Sequence, residues 1–303
     1  MKSLYPDLTR RPYYIVTPNY TNDSAGVRAM HLLCHWLNRA GERAYVLAYG
    51  GSETIVNPDL LTPLLSPPMV HAHGEKGLVP IVVYPEVVVG NPLNAQCVVR
   101  YVLNFPGLLG GDKIYAPSEL VFGFSHSLAA AVSPETPVLH MPIIDRSIFF
   151  PAKARQRKGA AFYAYKYRDV AGNRVFGLPE GALEITKGRP DSPRPPEIAE
   201  ILRSIETFYV FENSAMAIEA TLCGCPCVWM PSPYMEKPIS LEELGWEGHA
   251  WGDAPEEIAR ARATVGQAEA NYQRVIDAFF VQLADFVERT QRHGLAAPAA
   301  AVA

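Results

Sequence analysis

Charge is scarce in this sequence. Aspartate, glutamate, lysine and arginine together make up 19% of its 303 residues, and the formal net charge is −4. Without a basic excess there is no general attraction to nucleic acid or anionic membrane, so any anion site must be local. Long apolar runs are also missing. A membrane-spanning helix needs about 18 uncharged apolar residues, and the longest candidate, GLVPIVVYPEVVVG (77–90), is interrupted by Pro80, Pro85 and Glu86. The opening MKSLYPDLTRRP has no apolar core of the secretory kind, so the expected location is cytoplasmic, with at most peripheral contact at the inner membrane. Cysteine is sparse and odd in number, five in all at 34, 97, 223, 225 and 227, which argues against a disulfide framework. Cys223-Gly-Cys225-Pro-Cys227 has no histidine or further cysteine nearby to complete a four-ligand zinc site, so these thiols are expected to be buried apolar residues and no metal is expected.

What the sequence does have is rhythm. At 303 residues and 49% apolar composition, it exceeds one ordinary hydrophobic core and predicts two domains of about 150 residues. Short apolar runs alternate with amphipathic segments, the pattern of an α/β protein with parallel sheets. Strands are predicted at 13–17, 44–48, 80–84, 112–116 and 137–141, then at 160–165, 183–186, 208–211 and 227–230. Helices are predicted at 27–39, at Pro195–Ser204, at 254–260 and along a C-terminal stripe from Tyr272 to about Gly294. The expected fold is α/β, with two Rossmann-like domains facing a cleft, 1–150 and 151–264. A C-terminal helix at 265–294 is expected to pack across the domains, followed by a disordered tail at 295–303. The joining segment FFPAKARQRKG (149–159) carries Lys153, Arg155, Arg157 and Lys158, most simply read as a solvated linker.

Ligands of such sheets bind beyond the carboxyl ends of strands. Following each predicted strand to its end gives the loop 18–25, Gly50-Gly51, Pro85-Glu86, Ser118, Lys166, Glu212 and Ser232 as cleft candidates. The most informative stretch is FENSAMAIEATLCGCPCV (211–228). If residues 213–222 are helical, Glu212 and Glu219 lie on one side of the helix, separated by about 10 Å. Asn213 or Ser214 would cap it, and its free amides would suit a phosphate between the two carboxylates. The plainer reading is an acidic residue near a helix start and a surface glutamate.

This stretch resembles the C-terminal-domain signature of GT-B glycosyltransferases, Glu-x(7)-Glu followed by Ala and Gly-x-Pro-Val, although here the gap is six residues. TPNYTNDSAGVRAMHLLCHWLNRAGERAYVL (17–47) is similar to the family's opening strand, glycine-bearing loop and first helix. AFYAYKYR (161–168) sits where the family places a strand ending in diphosphate-binding basic residues. The resemblance implies transfer of a sugar from a nucleoside-diphosphate donor to a hydroxyl of a glycan or lipid-linked acceptor, in a bacterial polysaccharide pathway. It implies Lys166 and Arg168 on the diphosphate, Glu219 on the ribose and Glu212 on the sugar, with Asn213 and Ser214 beside them. Gly26 and Arg28, in the first half, are counted with the donor set near the reaction centre. The absence of any Asp-x-Asp, which GT-A enzymes use to hold a divalent ion, implies metal independence and no cofactor.

On the acceptor side, Glu86 follows a predicted strand directly and is a candidate base for an acceptor hydroxyl; the alternative is an ion pair with Arg100 or another cation. Asp23 and His73 are lesser candidates of the same kind. His71-x-His73 has metal-like spacing but nothing to complete the set, and a surface loop is expected there. Two other functions stay open: a nucleotide-sugar epimerase or hydrolase on the same fold, and a non-catalytic nucleotide-sugar-binding subunit.

Overall fold

The computed structural model describes residues 9–50, 53–151, 156–172 and 174–293. The chain divides into two compact units, one of residues up to Met141 together with those from Ala278 onward, the other Pro142–Asp277. Lys153 and Arg155 of the expected linker, Gly51 and the expected tail lie outside the described residues.

The first unit runs β1 (Tyr13–Pro18), α1 (Ala25–Arg39), β2 (Ala44–Tyr49), α2 (Pro67–Glu75), β3 (Ile81–Pro85), β4 (Val98–Val102), β5 (Leu120–Gly123) and α3 (His126–Ala130). The strands form one parallel sheet in the order β2-β1-β3-β4-β5. β1, paired on both edges, is a near-continuous apolar run, as a central parallel strand requires. Ser24 starts α1 by accepting from the Val27 amide, and Val27, Met30, Leu33, Cys34 and Leu37 form its buried stripe. Gly41, at φ +89°, closes the helix end in the left-handed region. Asn38 then clasps the entry of β2, bonding both the N–H and the C=O of Ala44.

The second unit runs β6 (Ala160–Tyr163), α4 (Tyr165–Ala171), β7 (Leu183–Glu184), α5 (Pro195–Ser204), β8 (Thr207–Val210), α6 (Met216–Leu222), β9 (Cys227–Trp229), α7 (Leu241–Leu244), β10 (His249–Trp251) and α8 (Pro255–Thr264). Its sheet is also parallel, in the order β10-β9-β8-β6-β7. One core packs α5 and α6 onto Ala161, Tyr163, Phe208 and Val210, and a second lies on the opposite face around Phe162, Tyr209 and Phe211. Arg157, expected in a solvated linker, bonds the carbonyl oxygens of Leu202, Ile205 and Cys223, so one guanidinium satisfies the ends of α5 and α6. The 25-residue helix α9 (Ala268–Arg292) begins in this unit, where the Tyr272 hydroxyl accepts from the Ile144 amide, and ends in the first, where Thr290 meets Tyr13 at 2.7 Å.

The α/β architecture with two parallel sheets is as expected, but individual strands differ. The segment 112–116 is loop, because Gly110 and Gly111 turn the chain at φ +99° and +77° and leave Ile114 87% exposed. Residues 137–141 contribute only an isolated bridge, Val138 to Gly123. The strands β4, β5 and β10 take the remaining places.

Candidate functional site

In the second sheet the strand order reverses between β6 and β8, and several of the expected donor residues gather at the carboxyl ends of these two strands. Glu212 is buried (3% exposed), and its Oε2 accepts from the Tyr167 amide at 2.8 Å. Its carboxylate therefore sits on the first turn of α4. Burial pushes its carboxyl above the usual range, opposed by the Tyr167 amide and the nearby Lys166 ammonium. Lys166 itself is exposed. Tyr234, in the loop after β9, feels the charges of Glu212 and Asp169; burial, then these two, push its phenol up. That loop is pinned by Asn213, whose amide donates to the Lys237 carbonyl oxygen at 3.2 Å and accepts from the Ile239 amide at 3.1 Å.

Several expectations are corrected here. Lys166 and Arg168 do not end a strand: the chain leaves the sheet at Ala164 and both residues lie on α4, which stops at Gly172 with φ +63°. Arg168 is engaged by Glu184 through two parallel bonds of 2.8 Å and lies over the Phe162 ring, a bidentate pair between a helix and the neighbouring strand. Glu212 and Glu219 do not share a helix face, because α6 begins only at Met216 and Glu212 precedes it in a bend. The first amides of α6 are already used. Met216 N–H goes to the Ser214 hydroxyl, Ala217 N–H to the Ser214 carbonyl, and Ile218 and Glu219 N–H to the Ala215 carbonyl. Glu219 is 1% exposed within α6.

Lys187 was not singled out from the sequence, although it directly follows the predicted strand 183–186. It is buried, 6.0 Å from the centre of the Tyr163 ring, just beyond the carboxyl end of β7. Tracing that strand end as the others were traced would have found it.

In the first unit the order reverses between β1 and β3. Glu86, immediately after β3, is 3% exposed, and its Oε2 accepts from the Leu103 amide at 2.9 Å, tying the end of β3 to the end of β4. Glu86 also helps to raise the phenols of Tyr49 and Tyr115, the latter to about 12, although burial is the larger cause for both. Arg100 pairs with Glu119 at 2.9 Å and donates to the carbonyl oxygens of Val88 and Gly90. Gly26 lies in the first turn of α1 against Leu103, and Arg28 is buried on the same helix. Asp23 is exposed. Ser118 precedes β5 rather than following it, and its carbonyl accepts from His293, which removes it from the carboxyl-end set.

His71 and His73 lie on α2, not on a strand or loop. Two residues apart on a helix, they face different ways: His71 is exposed and pairs with Glu75, whereas His73 is buried and bonds the Tyr14 hydroxyl at 2.8 Å. All five cysteines are buried and free, and burial pushes the Cys223 and Cys225 thiols up to about 12. Among the described residues no group of three or more His, Cys, Asp or Glu is placed to hold a metal ion, and no helix is long and apolar enough to cross a membrane.

No protein-family model and no curated protein matches the sequence. Among solved structures, a glycosyltransferase from Rickettsia africae ESF-5 is similar over 95% of this chain and 100% of that one, at 10% identity and TM-score 0.52. The glycosyltransferase SnogD from Streptomyces nogalater is similar over 93% and 99%, at 12% identity and TM-score 0.48. WaaG, a glycosyltransferase involved in lipopolysaccharide biosynthesis, is similar over 94% and 100%, at 11% identity and TM-score 0.46. At such identities the likeness is one of fold: the chain has the two-sheet GT-B fold that its sequence led us to expect.

Proposed function

We propose that the protein transfers a sugar from a nucleoside-diphosphate donor to a hydroxyl of a glycan or lipid-linked acceptor. The observation that carries this reading is the seating of the Glu212 carboxylate on the first turn of α4, the turn that bears Lys166, where the second sheet reverses its order, the place at which open α/β sheets take ligands. In the proposed roles, the Lys166 ammonium faces the diphosphate, whose negative charge grows as the glycosidic bond breaks. Glu219 takes the ribose hydroxyls and Glu212 the sugar. Arg168 acts behind them, its pair with Glu184 fixing α4. Glu86 is the candidate base on the acceptor side. Charge neutralisation by Lys166 makes the reaction metal-independent. The finer setting, a cytoplasmic step of bacterial polysaccharide assembly, comes from the sequence resemblance.

A panel of nucleotide sugars and free nucleotides, screened by thermal shift, tests the donor site. A ligand at 100 times its Kd adds about 2.7 kcal/mol of apparent stability. Lys166→Ala is expected to abolish most of the response to diphosphates while sparing a nucleoside, and Glu219→Ala to weaken both. A full response in both variants would remove the proposed site.

A second reading is a subunit that binds nucleotide sugar without transferring it; the saturated first turn of α6 and the engaged Arg168 leave the diphosphate to Lys166 in either reading. Donor consumption measured with and without candidate acceptors separates the two: binding with no turnover under any acceptor supports the subunit.

A further inference from the structure

In the second unit β8 and β9 lie side by side, with Val210 opposite Trp229, so the chain leaves them into two neighbouring loops. The first loop carries Glu212 and Asn213, and the second, 231–240, carries Tyr234. The second loop is built to hold that tyrosine still. Ser232 and Met235 exchange backbone bonds of 3.2 and 3.0 Å, and the Ser232 hydroxyl also accepts from the Met235 amide. The turn so formed sends neighbouring side chains to opposite cores. Met235, 1% exposed, enters the core beneath α5 and α6, while the half-buried Tyr234 packs on the other core, which contains Phe162, Tyr167, Phe211 and Met230. Asn213, next to Glu212, clips the far end of the loop through Lys237 and Ile239. Tyr167 belongs to the cluster on which Tyr234 rests, and its amide holds the Glu212 carboxylate. Carboxylate and phenol are therefore fixed against one framework.

The Tyr234 hydroxyl has no hydrogen-bond partner among the described residues, although its ring is anchored. Burial, and then the charges of Glu212 and Asp169, push the phenol above its ordinary range, so it keeps its proton and donates. The Glu212 carboxylate accepts from the Tyr167 amide at one oxygen and retains lone pairs for a ligand. A pure acceptor and a free donor on adjoining loops complement a group that is donor and acceptor at once. An alcohol has that chemistry. An ammonium has no lone pair for the phenol, and a carboxylate would be repelled by Glu212. We infer that Tyr234 reads a hydroxyl of the donor sugar together with Glu212, the hydroxyl donating to the carboxylate and accepting from the phenol. Tyr234 is then a specificity-determining residue, and the donor carries a neutral sugar with a free hydroxyl at the position read. This rests on the transferase reading and adds to it the residue that selects the sugar.

The test titrates the full chain by calorimetry with UDP-glucose, UDP-galactose, dTDP-glucose and GDP-mannose, each alongside its monodeoxy analogues and the free nucleoside diphosphate. Wild type should reject the analogue deoxygenated at one position by roughly a hundredfold, since that loss leaves two polar groups without a partner. Tyr234→Phe keeps the ring on its core, and its ligand-free melting temperature should match wild type. In this variant the complete donor should bind about tenfold more weakly and that one analogue with unchanged affinity, so the discrimination falls to about tenfold. Analogues at the other positions should weaken by the same factor as the complete donor, and the free nucleoside diphosphate should lose nothing. A variant that binds the donor as wild type does, or that weakens every analogue equally, overturns the inference and leaves the transferase reading intact. So does a wild type that tolerates every deoxygenation. An equal loss for the free diphosphate would put the phenol on phosphate, and a lowered ligand-free melting temperature would mean that the hydroxyl is already bonded; either overturns the inference. A wild type that binds none of these nucleotides lacks the donor site, and the transferase reading falls with the inference.

Discussion

Glu212 carries the sharpest conflict between stability and the proposed chemistry. A buried carboxylate is costly unless it is well bonded, and here the Tyr167 and Lys166 amides and the Lys166 ammonium offset only part of the desolvation. Because its folded pKa is raised, the stability linked to its protonation is present below the ordinary carboxyl range and lost as pH rises through the raised value. Glu212→Gln keeps an oxygen for the Tyr167 amide and removes the charge. The variant should melt a few degrees higher than wild type at pH 7, with the difference shrinking towards pH 4, while its response to nucleotide sugars falls at least tenfold relative to free nucleotide. Scanning calorimetry across that pH range checks the first part. A variant less stable at pH 7 would show that the carboxylate is already compensated. From sequence alone Glu212 stood out by position, but its hydrogen-bond partner could not be read. The Tyr167 amide lies 45 residues away, and only the pairing of β6 with β8 brings it near.

Elements with a strong local signal were legible, and those held by distant polar groups were not. α1, α5 and α9 follow from their apolar stripes and end signals, and the long apolar runs of β1 and β3 declare themselves as buried parallel strands. β4 was hidden because Arg100 stands in the middle of VVRYV, a residue expected at a surface. The structure buries it by giving its guanidinium a carboxylate and two carbonyl oxygens at once. Removing it should therefore do more than remove one pair. Arg100→Leu leaves Glu119 and two carbonyls without their donor and should destabilise the first unit by about 3–5 kcal/mol in urea unfolding. Hydrogen exchange should show the Gly90 and Leu93 amides losing protection before those of β1. A cost below about 1 kcal/mol would mean that the loops stand without their arginine. Gly111→Ala should be nearly as harmful: it demands both a left-handed backbone and space that the Glu86 carbonyl fills.

At the scale of the whole chain, each unit carries its own acid-sensitive lock. His140 in the first unit and His249 in the second are buried, and burial, the larger cause in both, depresses their imidazoles to about 4 and about 3. His249 is held neutral with its Nδ1 accepting from the Trp229 indole N–H at 3.1 Å. A histidine with a depressed folded pKa binds a proton only after unfolding. Its stabilising effect is therefore complete above the ordinary value near 6.5 and is lost as pH falls from there towards the folded value. At pH 5 each should have forfeited about 2 kcal/mol relative to neutral pH. Because the two groups sit in separate cores, the losses should appear separately if the units unfold in two steps and together if they unfold as one. His249→Gln, which retains an acceptor for Trp229, should flatten the pH 7 to 5 slope of the second unit's melting and leave the first unit's untouched. His140→Gln should do the converse. Calorimetric scans of the wild type and both variants at pH 7, 6 and 5 check this directly. If either variant flattened the slope of both units by the same amount, the two would form one cooperative block, and a donor bound to the second would stabilise the first as well.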